Sequence, residues 1–163
     1  MISVNEAINT LLAGSHRLVE TETVPLGSAL GRTLAADLVS PLDVPPADNS
    51  AMDGYAFRHA DWPGPESELP IGLRITAGTA PGELAPGMAA RIFTGAEVPR
   101  GADTVVMQEN CEGKDAAVGI LELPARGANI RPRGQDVKLG QTVLRAGQRL
   151  RPQEVGLAAS LGA

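Results

Sequence analysis

The chain has 163 residues, 43% of them hydrophobic and only 2% aromatic, with 19 glycines, 13 prolines, one cysteine and a formal net charge of −5. That is enough for one real core, or two small subdomains sharing one, and too hydrophobic for a disordered chain. It excludes an internal disulfide, and no apolar run approaches the ~20 residues needed to span a bilayer. Few rings for base stacking and an acidic total argue against nucleic-acid binding.

In chain order, Ser3-Val4-Asn5-Glu6 reads as a capping box. Val4, Ala7, Ile8, Leu11 and Leu12 then follow helical spacing, and Gly14 stops the helix. A helical turn is expected around Leu26 to Leu30, and Leu34, Ala36 and Leu38 alternate as in a strand. Pro41, Pro45 and Pro46 break regular structure and mark a subdomain boundary. From about residue 70 to 125 the pattern is β. Expected strands are Ile71-Leu73-Ile75, Met88 to Thr94, Thr104 to Met107 and Val118 to Leu123, with turn signals between them, as in a small barrel. Thr142-Val143-Leu144 and Arg149-Leu150 suggest a hairpin around Ala146-Gly147. A last helix opens at Pro152 and buries Val155, Leu157, Ala158 and Leu161.

Three polar, glycine-punctuated segments are wrongly composed for plain strands. Asp48 to Arg58 packs two acids, an amide, a hydroxyl and Gly54 between prolines and aromatic residues. Asp53-Gly54 alone is a surface-turn signal. Beside Met52, Tyr55 and Phe57 it suggests a buttressed loop whose carboxylate could bind Mg²⁺ or orient a water. Arg91-Ile92-Phe93-Thr94-Gly95-Ala96 is a strand ending in a hydroxyl and free amides, which suit an oxyanion. Asn129 to Asp136 sets Arg131, Arg133 and Asp136 around a glycine, a grouping able to hold phosphate and metal together. This third segment opens a basic stretch. From Arg126 to Arg151 seven basic residues (126, 131, 133, 138, 145, 149 and 151) stand against one acid, Asp136. On an acidic chain that suggests a local anion site. His16 and His59 are isolated, and Cys111 lies near Glu109 and Glu112, which disfavour a thiolate. There is no phosphate-binding P-loop and no dinucleotide fingerprint. The start, Met1-Ile2-Ser3-Val4, lacks the basic region of a secretory signal, so the expected location is cytoplasmic.

Taken together, the three segments resemble one family. Asp48-Asn49-Ser50-Ala51-Met52-Asp53-Gly54-Tyr55-Ala56 is similar to a signature of the molybdopterin molybdenumtransferases, the MoeA and gephyrin E-domain family. Arg91 to Ala96, Pro99, Gly101-Ala102-Asp103 and Val105 to Glu109 resemble its second block, and Asn129 to Asp136 its third. The final Leu161-Gly162 fits as well. The similarity runs in order over essentially the whole chain. Where the family is expected to carry Gly-Glu-Asp, this sequence has Gly134-Gln135-Asp136, which removes one negative charge beside a proposed metal carboxylate.

The resemblance implies an α+β, mostly β fold. Residues 1–45 plus 140–163 would form an elongated mixed α/β segment, and residues 46–139 an inserted β-barrel-like subdomain. The family's molybdopterin-binding α/β domain and small C-terminal β domain are absent from this sequence. The implied activity is insertion of molybdate into adenylylated molybdopterin with Mg²⁺-dependent release of AMP. It would occur in a homodimer whose site lies between protomers, so this chain alone is expected to be inactive. Carried onto this sequence, Asp53, Thr94 and Asp136 are the expected catalytic residues, with Asp53 and Asp136 on the metal. Arg131, Arg133, Gly95 and Ser50 are the expected substrate contacts. The alternative is a non-catalytic, gephyrin-like scaffold that binds partner peptides. Neither reading needs nucleic acid or a membrane.

Overall fold

A computed structural model describes residues 2–16 and 19–163. Its elements are α1 (Val4–Ala13), β1 (Leu38–Val39), β2 (Asn49–Ser50), β3 (Gly54–Phe57), β4 (Glu68–Ile75), β5 (Ala89–Ile92), β6 (Thr104–Met107), β7 (Cys111–Gly113), β8 (Ala117–Ile120), β9 (Ile130–Arg131), β10 (Thr142–Leu144) and α2 (Pro152–Ser160). The fold is therefore mostly β with two helices, as expected. No described helix is long and apolar enough to cross a membrane. Contacts divide the chain into two units, Met1–Leu38 with Leu144–Ala163, and Val39–Val143. The boundaries drawn from sequence, at 45/46 and 139/140, fall inside the second unit.

In the first unit the capping box forms as read. The Ser3 hydroxyl accepts from the Glu6 amide at 3.2 Å, and Glu6 accepts from the Ser3 amide at 2.7 Å. The apolar face of α1 is exposed, with none of its residues buried. The strand expected from Leu34 to Leu38 shrinks to a bridge at Thr33 and the pair Leu38–Val39. The hairpin around Ala146-Gly147 does not form as expected. Arg149 bridges Thr33, and the Leu150 amide donates to Arg32 at 2.8 Å, so this arm pairs with the earlier segment instead. Alternation alone cannot say which neighbour a short strand takes. Helix α2 starts at Pro152 as expected. It buries Ala158 and, just past its end, Leu161, while Val155 and Leu157 are only half-buried. Glu154 is the unexpected buried residue of α2. Its carboxylate takes the Arg151 guanidinium at 2.6 and 3.1 Å and the Arg151 amide at 2.9 Å.

The second unit is built on a six-stranded sheet in the order β6-β3-β5-β4-β8-β7, curled into a half-barrel. Only β4 and β5 run parallel. Both faces are covered. Ala56, Ile75, Ala90, Ile92 and Val105 form one buried cluster, while Phe57, Leu69, Ala89, Val106, Val118 and Ile120 form the other. Strand β4 serves both, because its register shifts between Ile71 and Leu73. Ile71 then packs with the second cluster and Leu73 with the first. In an unbroken strand these two residues would share a face, and a bulge at Gly72 reverses that. The small residues at 89 and 90 are what an aromatic-poor sequence needs where a sheet is buried on both sides.

Candidate active site

Asp53 stands at the mouth of β3. The glycine after it is required by a close approach, not by a turn. A Cβ on Gly54 would lie 1.9 Å from the Val106 carbonyl oxygen, so only glycine lets β3 run against β6 here. The Asp53 carbonyl accepts from the Gln108 amide at 3.0 Å, which fixes the backbone. The side chain is fixed as well. Its Oδ1 accepts from both the amide and the hydroxyl of Thr94, each at 2.8 Å. The Thr94 amide, then its hydroxyl, then the nearby positive charge of Arg91 hold the Asp53 carboxyl below the usual carboxylate range. It is ionised at neutral pH.

The residues around this pair serve the turn itself. Ser50 is 1% exposed, and its hydroxyl donates to the Met52 carbonyl at 2.6 Å. Gly95 adopts φ +81°, and its amide donates to the Ser50 carbonyl at 2.9 Å. The Ser50 amide returns a bond to the Ala96 carbonyl at 2.8 Å, and the Ala96 amide donates to Phe93 at 2.9 Å. The amides of Thr94, Gly95 and Ala96 are therefore all committed within the protein. The expectation of free amides ready for an oxyanion does not hold for this arrangement. Sequence shows where a strand ends but not which acceptor its last amides find.

The third segment joins the other two through β9, which pairs antiparallel with β2 (Asn49↔Arg131, Ser50↔Ile130). Asn129, in the left-handed region at φ +57°, donates its side-chain amide to the Val105 carbonyl at 2.9 Å, and its carbonyl takes the Ala51 amide at 2.8 Å. All three polar segments thus converge at one end of the second unit. Their charges, however, are paired. Arg131 Nη2 donates to both Asp136 oxygens at 2.9 and 2.7 Å, and its Nε reaches Gln135 Oε1 at 3.3 Å. Arg133 Nε donates to Asp43 Oδ2 at 2.6 Å, and its amide donates to Asp48 Oδ1 at 2.7 Å. Asp43 also takes the Leu139 amide at 2.8 Å, which with Arg133 holds its carboxyl below the usual range. Arg126 is held by Asp103 at 2.7 Å.

Among the described residues no group of three or more His, Cys, Asp or Glu could hold a metal. The carboxylates present fit a hard cation only in the manner of Mg²⁺, which takes one or two protein carboxylates and completes its shell with phosphate oxygens and water. Asp53 fits that role, since its Oδ2 makes no described bond. Asp136 fits only by exchanging Arg131 for the cation, because that arginine spans both of its oxygens.

Two further residues at this corner, Arg91 and Arg74, are not among the expected site residues. Arg91 Nη1 donates to the Gly54 carbonyl at 2.8 Å and Nη2 to Gln108 Oε1 at 2.6 Å, and its guanidinium lies over the Phe93 and Tyr55 rings at 4.5 and 5.1 Å. Arg74 lies over the same Phe93 ring at 4.8 Å. In sequence both are the polar members of alternating strands, a pattern that ordinarily marks a solvated face. Cys111 is inert as expected, but chiefly for another reason. Burial, more than Glu109, pushes its thiol up to about 11. His59 packs against Phe57 at 6.4 Å and bonds the Pro124 carbonyl at 3.1 Å.

Residues 2–162 match the family model described as the MoeA N-terminal region (domain I and II). A molybdopterin molybdenumtransferase 2 of Mycobacterium tuberculosis is 43% identical over 157 residues, covering 93% of this chain and 39% of that protein. The molybdopterin molybdenumtransferase of Haemophilus influenzae is 40% identical over 164 residues, covering 99% of this chain and 40% of that protein. The crystal structure of a molybdopterin biosynthesis moeA protein from Pyrococcus horikoshii OT3 superposes with a TM-score of 0.85 at 40% identity, over 97% of this chain and 43% of that one. The chain thus spans about two fifths of the relatives it matches.

Proposed function

The chain belongs to the MoeA N-terminal region family, and from that premise we propose that it is the N-terminal part of a molybdopterin molybdenumtransferase acting in molybdenum cofactor biosynthesis. The parent protein inserts molybdate into adenylylated molybdopterin and releases AMP. This chain supplies one wall of the site, and a homodimer of the parent completes it. The observation that carries the reading is the Asp53–Thr94 pair, where an exposed loop holds an ionised carboxylate by two 2.8 Å bonds. A scaffold that only binds peptides has no physical need for that.

The chain's own groups divide the work as follows. Asp53 Oδ1 is spent on Thr94, which leaves Oδ2 to hold Mg²⁺ or to orient a water. Thr94 commits its hydroxyl proton to Asp53, so its oxygen presents lone pairs and receives a water proton or a cation. Asp136 is the second candidate carboxylate, reached when Arg131 turns to a phosphate. Arg133 stays with Asp43 and shapes the loop, while Ser50 and Gly95 set the turn that carries Thr94. Bound Mg²⁺ would supply charge neutralisation for phosphate oxygens. A cytoplasmic enzyme suits a chain with a single free cysteine.

The test is Asp53→Asn in the full-length parent. The amide oxygen can keep both Thr94 bonds, so the unfolding midpoint should hold while kcat falls by about a hundredfold or more. The 163-residue chain alone should insert no molybdenum. Near-normal turnover by Asp53→Asn, or turnover by the isolated chain, would overturn the reading.

A further inference from the structure

The segments that sequence marks as anion-binding have few donors left to give. The amides of Thr94, Gly95 and Ala96 end on protein oxygens, and Asp136 and Asp43 hold Arg131 and Arg133. The positive charge still available at this corner lies on the neighbouring strands. Arg91 pairs in register with Tyr55 on one side and Arg74 on the other. Like charges opposite each other across a ladder repel, so this pairing needs compensation. Among the described residues no carboxylate oxygen lies within ion-pair distance of either arginine. What they share is the ring of Phe93, 4.5 Å from the Arg91 guanidinium and 4.8 Å from that of Arg74. The Arg74 side chain makes no other described interaction, whereas Arg91 is pinned by Gly54 and Gln108. Phe93 is the residue directly before Thr94.

We propose that Arg74 and Arg91, spread on Phe93, form a receiving site for a tetrahedral oxyanion beside Thr94, with Arg74 touching the anion and Arg91 as a positioning residue. The choice of anions rests on the function proposed above: the phosphate of a nucleotide or molybdate itself, which share charge and shape. A guanidinium fork meets two oxygens of such an anion at once, and the aromatic face keeps the fork's plane ordered beforehand. The arriving negative charge also relieves the repulsion between the two arginines.

The 163-residue chain is titrated at low ionic strength with inorganic phosphate, AMP and sodium molybdate in separate arms, following the amide resonances of Phe93, Thr94 and Gly95. At least one anion should shift them saturably. Arg74→Ala, at an exposed position, should weaken Kd by about tenfold. Arg74→Lys should recover part of the loss, because it keeps the charge without the fork. A response to phosphate and AMP alone assigns the site to the nucleotide; a response to molybdate alone assigns it to the metal oxyanion; a response to all three supports the shared chemistry. No saturable shift in any arm, or an unchanged Kd in Arg74→Ala, overturns the proposal. In the full-length parent, Arg74→Ala should raise KM by about tenfold with kcat largely kept. An unmoved KM beside an inactive Asp53→Asn sinks the receiving site and leaves the function standing. Anion binding beside a fully active Asp53→Asn does the reverse.

Discussion

The loop from Arg126 to Asp136 and the row Arg74–Phe93–Arg91 are both arginine-rich and both belong to the second unit, yet they treat charge in opposite ways. In the loop each arginine meets a carboxylate: Arg126 meets Asp103, Arg131 meets Asp136 and Arg133 meets Asp43. In the row the guanidiniums meet an aromatic face and backbone or amide oxygens. A region that looks basic in a count is thus neutralised by carboxylates within ion-pair distance, whereas in the row Arg91 only lies near Asp53 and Arg74 meets no described carboxylate. Anion attraction follows uncompensated charge, not local composition.

Breaking the row at its base should give the largest effect. Gly54→Ala sets a Cβ into the Val106 carbonyl beneath the backbone that Arg91 grips. It is expected to cost about 3 kcal/mol or more, read by chemical denaturation. A variant as stable as the parent would show that β3 and β6 can part without loss.

Releasing the loop should shift the balance more gently. Asp136→Asn removes the carboxylate that spans Arg131. The chain's affinity for inorganic phosphate should then rise by about threefold, with new shifts at residues 131–134. If the affinity is unchanged, pairing is not what silences the loop.

The smallest effect tests the same rule in the first unit. Arg151 pulls the buried Glu154 carboxyl down to about 2. A folded-state value depressed below the unfolded one stabilises above the unfolded value and is lost as pH falls through it. The chain should therefore lose stability on acidification from about pH 5 towards 2, more steeply than Glu154→Gln, whose Tm at pH 7 should lie about 3 °C lower. Parallel acid curves for the two would remove Glu154 from the acid response.

Much of this was legible in the residues. The capping box of α1, the strands at Ile71–Ile75, 89–92 and 104–107 and the proline start of α2 rest on local signals, and local signals survive folding. The failures share a cause. The expected hairpin at 142–150 and strand at 34–38 give way to other pairings because short segments choose partners far along the chain. Of the free amides expected after Phe93, those of Thr94 and Gly95 go to Asp53 and Ser50, more than forty positions away, while that of Ala96 turns back to Phe93.

By itself the sequence determined the kind of fold, the family and the three segments that gather at one corner, because each is written in contiguous residues with fixed local preferences. Only the tertiary structure decided which of their charges remain available. Electrostatics depends on distance in space: Arg131 finds Asp136 five residues on, but Arg133 meets Asp43 ninety residues away, and the partners of Arg91 and Arg74 are set by strand pairing and by the shift at Gly72. Asp53 shows both levels together. Its place before Gly54 is a matter of sequence, while its state as a held, ionised carboxylate comes from Thr94, brought across the sheet to meet it.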